Sequence, residues 1–156
     1  RAEGGWWSDK VVQQQWLSAD TSPAVSVGGG IDWAHGSAFF VSIEGRWSRL
    51  LEAPPALFLT AHDTVDLGAT GRLTFAGDRM QLLAAGLYSP TFNEWMLRPE
   101  LSYRVSDPIS IGVGGVWVQG NEAPPSTLLE VLRYAGGPMS MMSDNDVVFA
   151  TLRWIQ

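Results

Sequence analysis

The chain has 156 residues, a formal net charge of −6 and no cysteine. This length suits one domain, and the absence of cysteine excludes disulfides and thiolate metal sites. An acidic chain with 10 Lys and Arg residues against 16 Asp and Glu residues argues against a nucleic-acid partner. No apolar run approaches the ~20 residues that a membrane-spanning helix needs.

Residues 1–23 predict a loop or a short helix that lies outside any sheet. Val12 and Trp16 are one helical turn apart and follow a Ser-Asp pair of the kind that caps helices. As a strand, the segment would place three consecutive glutamines in the sheet. The alternative is a strand at 10–18, which would bring the total to an even number and allow a small barrel to close.

From residue 24 onward, apolar and polar side chains alternate with period two. Ile43 and Trp47, for example, alternate with Glu44 and Arg46. The pattern predicts seven strands, at 24–34, 38–51, 64–76, 79–89, 95–105, 109–118 and 146–156. Each of them has an apolar face and most carry charges on the other face, which is typical of an all-β, antiparallel, up-and-down transmembrane β-barrel. A soluble barrel with its apolar face turned inward is the alternative.

The links between the predicted strands alternate in length. Short turns are predicted at 35–37, 77–78 and 106–108, and longer links at 52–63, 90–94 and 119–145. Outer-membrane barrels have short periplasmic turns and long outer loops, so we expect 52–63 and 119–145 to be outer loops of a barrel domain at 24–156. Seven strands are an odd number and the chain begins at Arg1 rather than Met, so we expect either an eighth strand near the N-terminus or a larger barrel with strands elsewhere.

Two sets of side chains follow from this arrangement. The polar face would line the lumen, and its charged members are Asp32, Glu44, Arg46, Asp66, Arg72, Arg98, Glu100, Arg104 and Arg153. The apolar face would meet lipid, with aromatic residues at the two membrane interfaces, namely Trp33, Trp47, Trp95, Tyr103, Trp117 and Trp154. The charged set indicates either a pore lining or a network of ion pairs that fills a small lumen.

Three further features bear on function. Pro99 lies inside a predicted strand and removes a ladder donor, which predicts either a tolerated bulge or a weak seam through which a barrel wall would open laterally. Ser126–Tyr134 predicts a short helix within the long link, followed by Met139, Met141 and Met142. Glu94 is predicted to belong to an acidic, solvated rim on the outer loops.

The second half of the chain resembles a family of Gram-negative outer-membrane barrels. The resemblance is carried by Glu94–Pro99, Leu101–Asp107, Ile109–Gly115, Gly120 and Asn145–Trp154. The family has no assigned function and is often associated with lipid-handling transporters of the resistance-nodulation-division type. In the terminal strand, Val148, Ala150, Leu152 and Trp154 match the alternation that the barrel-assembly machinery reads, whereas Gln156 stands where Phe is usual.

These patterns predict a bacterial outer-membrane protein that acts as a channel or a lipid-handling conduit with a charged lumen. The resemblance implies outer-membrane lipid or lipopolysaccharide and the barrel-assembly machinery as partners, together with further strands or other chains of a larger assembly. The alternatives are a small, filled eight-strand barrel that serves as a structural or adhesive membrane anchor, and a soluble lipocalin-like binder of apolar ligands. No residue pattern predicts catalysis, a metal site or a cofactor.

Overall fold

The computed structural model describes residues 1–14, 19–52, 57–131 and 134–154. Its strands are β1 (Ala2–Gln13), β2 (Ala19–His35), β3 (Phe39–Leu50), β4 (Asp63–Phe75), β5 (Met80–Ser89), β6 (Glu94–Ser106), β7 (Ile109–Gln119) and β8 (Val147–Trp154). Each strand pairs antiparallel with the next, which gives one up-and-down sheet in the order β1 to β8. Across the described residues no ladder joins β1 to β8, so both strands are edges and the sheet is open rather than closed into a barrel.

The seven strands predicted from period two are confirmed as β2 to β8, with bounds that differ by a few residues. Their short turns all lie at one end of the sheet. Gly36 (φ +58°) and Gly77 (φ +66°) supply the left-handed backbone that two of these turns need. The end of the last strand was predicted at Gln156; β8 is described as far as Trp154, and Gln156 lies outside the described residues.

The loop or helix predicted over residues 1–23 is wrong for the described part of that segment. Ala2–Gln13 is strand β1, and Ala19–Pro23 belongs to β2. Gly4 and Gly5 disfavour a helix, and the long ladder with β2 outweighs the helical spacing of Val12 and Trp16. Gln13 does not interrupt the sheet, because it pairs at the extreme end of the ladder, opposite Ala19. Residues 15–18, which include Trp16, lie outside the described part of the chain.

The sheet has one polar and one apolar face, because directly opposite residues project to the same side. Glu44 lies opposite Gly30 and Gly68, and Arg46 lies opposite Gly28 and Asp66. This polar face is concave, since residues from β1 to β6 surround a common recess on it. The convex face carries exposed aliphatic and aromatic side chains, with Ile31 at 77% and Leu152 at 76% exposure.

A small buried core lies on the concave side, at the end of the sheet opposite the short turns. Val12, Ala24 and Leu50 form it, and Leu57 packs against it. In the described part of the 119–145 link lie two short helical segments: α1 (Leu128–Val131), which confirms the helix predicted there, and a 3₁₀ turn at Ser140–Met142. Neither segment is long and apolar enough to cross a bilayer.

The ladder between β6 and β7 is interrupted at Pro99. Leu97 pairs with Trp117 and Glu100 pairs with Gly114, whereas Arg98 and Pro99 have no partners on β7. The same two residues do pair with Ala85 and Ala84 of β5. Two residues are unpaired on β6 and two on β7, so the register is the same on both sides of the interruption. The interruption is therefore a break in pairing and not a bulge.

Replacing Pro99 with valine is expected to restore pairing at this break. Valine supplies the missing N–H and favours extended backbone, and one added ladder hydrogen bond is worth ~1 kcal/mol of unfolding free energy. In detergent micelles, hydrogen exchange of the Gly115 amide and of the flanking Trp117 amide, which both face β6, should slow in the variant. Unchanged exchange would show that the proline does not cause the break. Leu101→Val, on the same face of β6, is the control and should leave these amides unaffected.

Candidate functional site

The main candidate site is the recess of about 730 Å³ on the concave face, called here the large recess. It lies toward the end of the sheet with the longer links. Arg1 and strands β1 to β4 supply one wall of it, which carries eight polar or charged side chains: Arg1, Glu3, Lys10, Glu44, Arg46, Ser48, Thr64 and Asp66. The other wall comes from β5, the start of β6 and the links. It carries five apolar side chains beside Thr60, Ser89 and Glu94, namely Leu59, Leu87, Phe92, Pro138 and Met139. The large recess is therefore amphipathic.

Glycines make room for the charged wall. Gly30 and Gly68 flank Glu44 on the neighbouring strands. A β-carbon at Gly68 would come within 3.0 Å of Glu44 Cγ and Oε1, and one at Gly30 within 3.1 Å of Glu44 Cβ. The Glu44 side chain thus occupies space that larger residues on β2 and β4 would fill.

Hydrogen bonds and an ion pair orient several of these charges. Arg1 Nη2 donates to Asp32 Oδ1 at 2.8 Å and to Ser42 Oγ at 2.9 Å. Ser89 Oγ, on β5, donates to Asp66 Oδ1 at 3.0 Å. These contacts keep polar side chains directed along the concave face instead of into a packed core.

All nine charged residues predicted from the polar pattern lie on the concave face, and the structure divides them into groups. Glu44, Arg46 and Asp66 line the large recess. Arg104 and Arg153 line a second recess of about 200 Å³ at the short-turn end, called here the small recess. The others lie elsewhere on the face: Asp32 beside Arg1, Arg72 opposite Phe40 and Leu83, and Arg98 paired with Glu100.

Arg98 also contacts the last strand. Its guanidinium carbon lies 5.7 Å from the centre of the Phe149 ring, a cation–π distance, and Arg98 Nη2 lies 3.6 Å from Glu100 Oε2. The Phe149 ring lies over Gly114, where an added β-carbon would come within 2.6 Å of it. Arg98 and Phe149 therefore bridge β6 and β8 across the break in pairing.

Glu94 departs most from prediction, since it is fully buried rather than part of a solvated rim. Its Oε2 accepts hydrogen bonds from the backbone N–H of Ser140 at 2.8 Å and from Ser140 Oγ at 3.1 Å. Glu94 Oε1 is buried without a hydrogen-bond partner. The Glu94 carboxylate on β6 thus holds part of the 119–145 link against the sheet. This part, residues 134–142, is called here the docked segment.

Other contacts complete this docking. The rings of Tyr134 and Phe58 lie 6.3 Å apart, and burial raises the pKa of the Tyr134 phenol. A β-carbon at Gly137 would collide with Glu94 Oε1 and the Phe92 ring, so the backbone here lies directly on both side chains. Because Pro138 and Met139 line the large recess, docking adds an apolar edge to it.

The six predicted interface aromatics are exposed on the convex face, between 37% and 71% of their surface. They form two groups. Trp47, Trp95 and Trp117 lie toward the end with the longer links, and Trp33, Tyr103 and Trp154 lie toward the short turns.

Several residues of the concave face were not anticipated. Glu3 and Lys10 were missed because β1 was not predicted. Arg79 was missed because it lies in a turn, although its position just before β5 indicates that it can share the polar face of that strand. Over the described ranges, no three His, Asp or Glu side chains cluster as a metal site would require. No protein-family model, curated protein or solved structure matches the chain.

Proposed function

We propose that this chain forms part or all of the wall of a bacterial outer-membrane β-barrel. The barrel acts as a channel or conduit for amphipathic molecules such as lipids. The observation that carries the proposal is the inverted polarity of the sheet. Charged side chains lie on the concave face around the large recess, and large apolar side chains are exposed on the convex face. Transmembrane barrels have this arrangement, with apolar residues toward lipid and polar ones toward the lumen.

The exposed apolar surface would be costly in water. Ile31, Ile43, Val113, Val148 and Leu152 are each more than half exposed and come from four different strands. Monomeric soluble proteins rarely expose contiguous apolar patches beyond a few hundred Å². Burial in a bilayer removes that surface from water and leaves the polar face free to line an aqueous path.

The spacing of the aromatic groups suits a bilayer. Trp95 and Tyr103 are eight residues apart on β6, which corresponds to ~26 Å along a strand at ~3.3 Å per residue. A tilt of about 40° reduces this to ~20 Å, and the rings extend the band at both ends toward the ~25 Å of an outer-membrane apolar belt. Trp117 and Ile109 have the same separation on β7.

The amphipathic large recess supports a lipid or similar molecule as cargo. Its charged wall suits a polar head group, and its apolar wall, with the adaptable Met139 side chain, suits an alkyl portion. A simple aqueous pore would have no need of the apolar wall.

The two sheet edges indicate what else the proposal requires. In a bilayer the unpaired N–H and C=O groups of β1 and β8 must find partners. We propose that these edges pair with each other or with further strands of the same or another chain, and that the barrel-assembly machinery inserts the product. Outer-membrane lipid and lipopolysaccharide would surround the convex face.

Single-cysteine variants test the proposal directly, because the chain has no cysteine of its own. Ile43→Cys and Glu44→Cys are neighbours on β3 that project to opposite faces. After reconstitution into vesicles, a fluorophore at position 43 should be quenched by brominated lipid acyl chains. The same fluorophore at position 44 should be quenched by a water-soluble quencher instead. Lipid quenching at 44 but not at 43, or a chain that stays soluble without detergent, would contradict the proposal.

The docked segment favours a filled barrel as the second candidate, since Pro138 and Met139 of this segment line the large recess. Planar-bilayer recordings separate the two. A conduit should give discrete openings, whereas a filled membrane anchor should give none even when the quenching pattern is as proposed.

A further inference from the structure

The short-turn end of the concave face carries an unusual row of arginines. Met80 pairs with Tyr103, so the preceding residue, Arg79, lies opposite Arg104. The backbone N–H of Arg104 donates to the Arg79 carbonyl at 2.7 Å. Arg104 in turn lies opposite Ser110, and Ser110 lies opposite Arg153. Three arginines therefore occupy one cross-strand row over β5 to β8, separated only by a serine.

All members of this row line the small recess. Its volume is about 200 Å³, and Ser102 and Gln81 add hydroxyl and amide groups to its surface. The small recess lies apart from the large recess, and the two share no lining residue.

The charges of the row are not neutralised by ion pairs. Among the described residues no carboxylate oxygen lies within 4.0 Å of the Arg79, Arg104 or Arg153 guanidinium, whereas Arg1, Arg49 and Arg98 each have such a partner. Two carboxylates, Asp78 and Asp107, line the small recess from its turns and leave a formal excess of one positive charge. Like charges directly opposite each other destabilise a sheet, so this row would be favoured by an anion that bridges it.

We infer that the small recess binds a phosphate group, either free or carried by a lipid head group. Arginine presents a planar fork of N–H donors that matches phosphate oxygens in pairs, and the serine hydroxyls can donate to the remaining oxygens. Guanidiniums from three of the four positions of one row can contact a single phosphate from several sides. Binding would not depend on the membrane function proposed above, because the row belongs to the sheet itself.

The test is a calorimetric titration of the folded chain in a maltoside detergent, which contains no phosphate. Inorganic phosphate is added in one arm, and short-chain phosphatidic acid dispersed in the same detergent in the other. We expect saturable binding in at least one arm that weakens at least tenfold in Arg104→Gln, since a lost charge-assisted hydrogen bond is worth about one such factor or more. Binding in both arms identifies the phosphate group alone as sufficient, and binding of the lipid alone places the phosphate on a head group.

Matched variants guard against trivial losses of binding. Arg72→Gln removes the same charge from the same face outside the small recess, so it should change the affinity less than twofold. Arg153→Gln repeats the Arg104→Gln test on the edge strand β8, where a substitution disturbs the folding of the sheet less. Asp107→Asn keeps a turn-forming residue, removes a repelling charge and should strengthen binding severalfold. Absence of binding in both arms, or equal losses in Arg72→Gln and Arg104→Gln, would overturn the inference.

Discussion

Replacing Ile43 with arginine is expected to lower the free energy of unfolding in lipid vesicles by ~2–4 kcal/mol. Ile43 lies mid-strand on β3 with 60% of its surface exposed on the convex face. If that face meets acyl chains, an arginine there costs ~2–4 kcal/mol near the bilayer midplane. Because folded proteins are stable by only ~5–15 kcal/mol, this is a large fraction of the total.

The control is the same substitution on the other face at the same depth. Thr70 lies on β4 beside Ala69, the residue opposite Ile43, and projects to the concave face. Thr70→Arg should fold nearly as well as the unmodified chain. The measurement is denaturant unfolding in vesicles, with the folded fraction also followed by the heat-dependent mobility of the chain on gels. Equal stability of the two variants would mean that the convex face does not contact lipid.

Most of the sheet could be predicted from the sequence because its signal is local. In β3, Ile43 and Trp47 alternate with Glu44 and Arg46 regardless of what the strand pairs with. A one-residue change of register would turn every charge to the apolar face, so the pattern also determines which residues share a face. For this reason the nine charged residues lie together on the concave face.

The first strand was missed because the alternation of apolar and polar residues in it is weak and because part of it also fits a helical spacing. Gly4 and Gly5 carry no side-chain signal, and a register shift between Trp7 and Lys10 changes the phase halfway along β1. Half of the strand therefore appears out of phase with the other half, while Val12 retains a spacing that also fits a helix. Pairing with β2 over 10 residue pairs decides the outcome, and that pairing is not a local property of the segment.

The role of Glu94 could not be predicted for a similar reason. Its partner, Ser140, is 46 residues away along the chain and belongs to a link without a periodic pattern. From the sequence alone, an acidic residue at the start of a strand is expected to be exposed to solvent. Only the folded 119–145 link places a backbone N–H and a hydroxyl against this carboxylate.

Replacing Glu94 with alanine is expected to release the docked segment from the sheet. The change removes the acceptor for both Ser140 hydrogen bonds and leaves a buried backbone N–H unsatisfied. Hydrogen bonds to charged groups contribute ~1.5–3 kcal/mol, and an unsatisfied buried donor adds a desolvation cost of ~1–3 kcal/mol. Hydrogen exchange over residues 134–142 should therefore accelerate by at least tenfold, while the strands themselves remain protected.

Two companion variants identify the cause. Glu94→Gln keeps an acceptor oxygen for Ser140 and should retain part of the protection. Gly137→Ala keeps Glu94 intact but places a β-carbon against Glu94 Oε1 and the Phe92 ring, so it should also undock the segment. Glu44→Ala is the matched control, because Glu44 lines the same recess with a side chain that is 64% exposed and has no hydrogen bond to the segment.

The functional consequence separates a conduit from a filled barrel. Undocking withdraws Pro138 and Met139 from the lining of the large recess and widens it, so single-channel conductance should rise in Glu94→Ala and Gly137→Ala. Glu44→Ala should alter ion selectivity by removing a lining charge, without faster exchange over residues 134–142. If the segment exchanges quickly in Glu94→Ala but conductance is unchanged, the docked segment supports the sheet without restricting the path. If exchange is also unchanged, the two Ser140 hydrogen bonds do not hold the segment in place.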